Sequence, residues 1–148
     1  MTRPTADRET RHQRFIPAPR ERLYRAFILP EHLARWWGPN GFSSTFEIFE
    51  PHEGGRWTFT LHGPDGGNYP NENILAELRE NERVVVEHLS DTHHFFLTIG
   101  YEEAEGGTLV SWHQVFDSAE HFQQIAEFVR PANEQNLDRL AAEVGTMA

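Results

Sequence analysis

Residues 117–144 read DSAEHFQQIAEFVRPANEQNLDRLAAEV. Apolar side chains recur at Phe122, Ile125, Val129, Leu137, Leu140 and Val144, and steps of three and four residues place them along one side of an α-helix. No other stretch is long and periodic enough to cover a whole sheet, and its apolar stripe has to be buried. Asp117 or Ser118 can cap the first turn, and Glu120 adds a carboxylate at the positive end of the helix dipole. Pro131 has no amide hydrogen to give the carbonyl of Glu127, so a kink or short break is expected near Arg130. A helix in two parts can bend over a cavity instead of filling it.

Upstream of this helix the period is two. Thr108 through Phe116 alternate, as do His93 to Glu102, Arg83 to His88 and Glu72 to Arg79, joined by turns at Glu105-Gly106-Gly107, Asp91-Thr92 and Glu80-Asn81-Glu82. Before them, Pro64-Asp65-Gly66-Gly67 follows a strand over Arg56 to His62, in which Trp57, Phe59 and Leu61 alternate with Thr58 and Thr60. Glu53-Gly54-Gly55 turns that strand back onto one from Phe42 that carries Phe46 and Ile48. Two short helices come earlier, Arg20 to Leu29 and Glu31 to Trp37, separated by Pro30 and ended by Gly38-Pro39-Asn40-Gly41. His12 to Ile16 forms the first strand. The expected order is β, α, α, six β, then the long α, with a curved antiparallel sheet laid against the last helix and an apolar hollow between them.

Composition narrows the chemistry. The chain has 148 residues, enough for one domain with one sizeable core. It lacks cysteine, which excludes disulfides, thiolate nucleophiles and cysteine metal sites. All thirteen basic residues are arginine, so lysine Schiff-base and P-loop chemistry are excluded too. A formal net charge of -10 argues against a nucleic-acid partner. Residues 1–25 carry seven Arg against Asp7, Glu9 and Glu21, a local +4, read as a solvated basic face. No apolar run reaches the length of a membrane span and the first residues lack a signal-peptide core, so a cytoplasmic location is expected.

Short words spread through the text add a resemblance. They are Ala18-Pro19, Leu29-Pro30-Glu31-His32-Leu33, Arg35-Trp36-Trp37-Gly38-Pro39, Gly54-Gly55-Arg56-Trp57, Gly63-Pro64-Asp65-Gly66, Glu82-Arg83-Val84-Val85, Gly106-Gly107-Thr108, Phe116-Asp117-Ser118-Ala119-Glu120 and Leu137-Asp138-Arg139-Leu140. In this order they resemble the START-like or Bet v 1-like (SRPBCC) superfamily, and within it the activator of heat shock protein 90 ATPase homologue branch. The resemblance implies an α+β helix-grip fold, in which a seven-stranded antiparallel sheet wraps the C-terminal helix around a cavity for an apolar, aromatic or lipid-like molecule. It implies little about chemistry. The strand from Glu72 to Arg79 departs from the pattern by being polar at Glu72, Asn73 and Glu77.

Candidate ligand-binding residues follow from the alternation. Trp37, Trp57, Phe59, Phe95, Trp112 and Phe122 are expected on or near the concave side. Gln114 and Asn133 each interrupt an apolar stripe, and buried amides need partners: each other, a water or a ligand. His88 shares a face with Val84 and Val86 and is the candidate general base, with Glu72 or Glu77 next and Tyr69 or Tyr101 as proton partner in an enzymatic alternative, a cyclase or hydrolase. No histidine pair has ligand spacing and no serine sits in a nucleophile elbow, so neither metal, cofactor nor catalytic residue is assigned. The leading expectation is a small-molecule carrier. Trp36 and Trp37 with the loop to Gly41 form the alternative interaction surface, for a second copy of the chain or a chaperone.

Overall fold

The computed structural model describes residues 5–147. Its elements are β1 (Glu9–Ile16), α1 (Arg20–Ile28), α2 (Pro30–Trp36), β2 (Ser43–Phe49), β3 (Arg56–His62), β4 (Asn68–Arg79), β5 (Arg83–Leu89), β6 (Phe95–Ala104), β7 (Gly107–Phe116) and α3 (Ala119–Gly145). The strands form one antiparallel seven-stranded sheet in the order β1-β7-β6-β5-β4-β3-β2. Strands β2 to β7 are a meander, and β1 closes onto β7 after the chain has passed through α1 and α2. Helix α3 lies across the concave face, which makes this a helix-grip architecture.

Local chemistry explains the punctuation. Leu29 precedes a proline and takes the extended conformation such a residue prefers (φ -101°, ψ 115°), so it ends α1 and caps α2 at once. Its amide donates to the Arg25 carbonyl, and its own carbonyl accepts from His32 and Leu33. Gly55 allows the β2–β3 turn to close tightly: a Cβ there would lie 2.0 Å from the Glu50 carbonyl oxygen. Strand β4 begins at Asn68, four residues before the expected Glu72, because residues 68–71 pair with β3. No β5 residue opposes that part, so it is locally an edge, where Pro70 is tolerated. Strand β6 starts at Phe95, leaving His93 and His94 in the preceding bend, and β1 starts at Glu9.

Two expectations are corrected. Helix α3 runs unbroken from Ala119 to Gly145 with Pro131 inside it. Pro131 and Glu127 are both exposed, four residues apart on the solvent side, where water can take the carbonyl that lost its donor. The helix is therefore continuous through Pro131, without the expected break. Trp36 and Trp37, read as a surface for partners, are 1% and 9% exposed. The Trp36 indole donates to the Ala26 carbonyl at 2.8 Å, which ties α2 to α1. Ser118, not Asp117, is the N-cap: its hydroxyl accepts from the His121 amide at 3.1 Å.

The core is divided. One cluster unites α1, α2, the sheet and the C-terminal half of α3, from Leu137 to Val144. A second holds Phe116, Phe122, Ala126 and Val129, at the other half of α3, and Phe95 packs against both. No helix among the described residues is long and apolar enough to cross a membrane.

Candidate functional site

Between the two clusters lies a hollow of about 170 Å³. Helix α3 contributes Phe128, Val129, Ala132, Asn133 and Asn136; β7 contributes Trp112 and Gln114; Phe95, Leu97 and the preceding His93 come from the β6 side. Leu61 of β3, Asn71 of β4 and the segment Trp37-Gly38-Pro39 after α2 complete the wall. That segment is held from α3. The Asn136 amide donates to the Trp36 carbonyl at 2.7 Å and accepts from the Gly38 amide at 3.3 Å. Arg139 donates to the carbonyls of Trp37, Gly38 and Pro39 at 3.3, 2.8 and 3.0 Å, and to that of Arg35 at 2.8 Å. Gly38 sits at φ +102°, a conformation open to glycine, and a Cβ there would meet Leu61 at 3.1 Å.

Five of the nine candidate residues border this hollow: Trp37, Phe95, Trp112, Gln114 and Asn133. The other four face the concave side but belong to solid packing. Trp57 and Phe59 stack at 4.7 Å in an aromatic block with Phe27, Phe46 and Phe49. Phe122 packs against Phe116 at 5.4 Å, with the Arg130 guanidinium 5.2 Å above its ring. His88 stacks on Phe95 at 4.8 Å and lies in a cross-strand row with Trp57, Asn73 and Phe116.

The polar groups of this row and of the hollow's wall are mostly paired. The Asn73 amide donates to the Trp57 carbonyl at 3.2 Å, so its oxygen faces His88 Nδ1 at 2.9 Å, and His88 carries its proton on Nδ1. Burial, then the charges of His93 and His94, push the His88 pKa down to about 4. A ring neutral at pH 7, held as a donor to Asn73, is a structural histidine. His93 pairs through Nδ1 with His121 Nε2 at 2.7 Å, and burial followed by His121 lowers its pKa as well. The Asn133 amide donates to Gln114 Oε1 at 2.9 Å, the pairing of the two amides that interrupt their stripes.

The remaining acid/base candidates point elsewhere. Glu72 is exposed, and Glu77 is paired with Arg79 at 3.0 Å and Arg83 at 2.6 Å. Tyr69 is 46% exposed, while Tyr101 is buried against Tyr24 and its hydroxyl is pushed far up by that burial. None of these four borders the hollow. Among the described residues no group of three His, Asp or Glu could hold a metal ion.

The residues missed by pattern reading had a signal of their own. On α3 the apolar stripe skips from Val129 to Leu137, and the vacant positions on that face are the already named Asn133 and, missed, Ala132 and Asn136. Two are amides and one is a methyl, too small to reach the sheet. The gap in the stripe is where the hollow lies. Phe128 is 64% exposed and stands off the stripe, so periodicity gave no hint of it.

Comparison with known proteins places the fold. A protein from Nitrosomonas europaea superposes with a TM-score of 0.85 at 16% identity, over 97% of this chain and 98% of that one. One from Chromobacterium violaceum gives 0.79 at 26% identity, over 95% and 99%. An AHSA1-like protein from Aeromonas hydrophila gives 0.71 at 19% identity, over 93% and 92%. Among functionally curated proteins none is significantly similar in sequence. The family described as Activator of Hsp90 ATPase homolog 1-like protein matches residues 17–145, and the chain belongs to that family, within the SRPBCC superfamily.

Proposed function

We propose that the protein binds a compact, largely apolar molecule, about the size of one aromatic ring, between α3 and the sheet. The observation that carries this is the hollow of about 170 Å³ at the seam of the two core clusters, walled by Trp37, Phe95, Leu97, Trp112 and Val129. Pockets for drug-sized ligands run from about 300 Å³ upward, whereas an apolar cavity of about 150 Å³ takes up benzene. A lipid chain is too large for the volume; a single ring fits it. The way in lies between Pro39 and Phe128, since Pro39, Phe128 and Ala132 also border a surface groove of about 210 Å³. With His93 the one titratable side chain on the wall, the site supports holding a molecule better than acid/base work on it.

Thermal unfolding with benzene, toluene or phenol tests this. Ligand at a hundred times its Kd adds about 2.7 kcal/mol, worth a rise in Tm of roughly 5–10 °C for a chain of this size. The rise is expected for the natural sequence and is lost in Ala132→Phe, which fills the hollow from the helix side. No shift with any of the three at millimolar concentration contradicts the proposal.

A further inference from the structure

Among the described residues, the wall of the hollow holds no aspartate, glutamate or arginine, in a chain where such residues make up 24%. An ionised guest would give up its hydration with no counter-charge to receive it. The site is not purely apolar either. Gln114 and Asn133 are 7% and 8% exposed, both border the hollow, and one hydrogen bond joins them. That bond uses the Asn133 nitrogen and the Gln114 oxygen. Among the described residues it leaves the Gln114 Nε2 donor and the Asn133 Oδ1 acceptor without a hydrogen-bond partner. The indole N–H groups of Trp57 and Trp112 are also unpartnered, but they are sealed among packed atoms; the two amide atoms are not among the sealed ones, and both residues border the hollow. Exchanging the orientation of both amides swaps their roles and leaves the same pair, one donor beside one acceptor.

Resting on the proposal that the hollow is a binding site, we infer that its ligand is an uncharged ring compound bearing a group that both donates and accepts a hydrogen bond, of the carboxamide kind. The amide pair reads that group and the surrounding Trp112, Phe95 and Val129 hold the ring. An apolar ring leaves the donor and acceptor without partners, which costs free energy in the bound state. A carboxylate lacks the donor and brings a charge.

Calorimetric titration at pH 7 with benzamide, toluene and benzoate tests this on the natural protein. Benzamide is expected to bind about tenfold or more tightly than either of the others. In the double variant Gln114→Met with Asn133→Leu, both partners are replaced by apolar groups of similar size, which protein cores tolerate. There toluene is expected to bind at least as tightly as benzamide. Toluene or benzoate equal to or tighter than benzamide on the natural protein overturns the inference while the hollow stands as a binding site. Binding of none of the three overturns the proposed function and this inference with it. A double variant that fails to fold, judged by circular dichroism, leaves the ranking on the natural protein as the deciding result.

Discussion

His88 and Asn73 are polar residues in the middle of an aromatic wall, and they are tolerable there only as a pair. Asn73→Leu removes the acceptor of the His88 N–H and is expected to cost about 1–3 kcal/mol, read as a lower urea midpoint. His88 makes stability depend on pH. Unfolded His88 takes up a proton near pH 6.5, but folded His88 resists until about pH 4. Between those values the unfolded chain binds more protons, so stability falls as pH falls from 6.5 to 4, by up to about 3 kcal/mol from this group. His93 is shifted in the same sense. His94 opposes them: burial lowers it, but its pairs with Glu87 at 2.8 Å and Asp117 at 2.9 Å prevail and raise it. Urea midpoints from pH 4 to 7.5 should show the slope, and His88→Phe should flatten most of it; an unchanged slope contradicts the assignment. At this scale Gln114 and Asn133 were legible because each interrupts an apolar stripe. His93 was not, because its inward turn depends on a bend before β6 that alternation does not encode.

Helix α3 shows what pattern reading does well and where it stops. Its stripe follows directly from residue spacing and its cap was narrowed to Asp117 or Ser118, but the effect of Pro131 depended on which side of the helix it faced. Since the helix is unbroken, Pro131→Ala restores the bond to the Glu127 carbonyl and removes a steric conflict, and is expected to stabilise by about 1–3 kcal/mol. Each kcal/mol raises Tm by about 2–4 °C for a chain of this length, so calorimetry reads the result directly. A fold that needed a bend at this position would instead lose stability. Arg139 makes the complementary case. It supplies donors to four carbonyls of the segment before the hollow's mouth, so Arg139→Met is expected to cost about 2 kcal/mol and to speed amide exchange at Gly38. Strand ends were misjudged for a related reason: Asn68 to Asn71 carry no apolar alternation, and pairing with β3 makes them a strand.

For the molecule as a whole, the meander from β2 to β7 and its packing against α3 were readable because turn signals separate those strands, whereas the pairing of β1 with β7 was not. The uneven charge also resolves within the fold. Basic β1 lies beside acidic α3, where Arg14 pairs with Glu134 at 3.1 Å and Asp138 at 2.6 Å. What spacing could not supply is volume. Whether the trough between sheet and helix is filled depends on side-chain size at every facing position, and here the aromatics from Trp36 to Trp112 fill one end, Phe116 and Phe122 the other, with the seam left open. Solution NMR on methyl-labelled protein with benzamide added tests that seam most directly. Intermolecular NOEs from the ring protons to the methyls of Leu97 and Val129 are predicted. NOEs confined to exposed apolar residues such as Leu89, with none to Leu97 or Val129, would contradict a guest between sheet and helix.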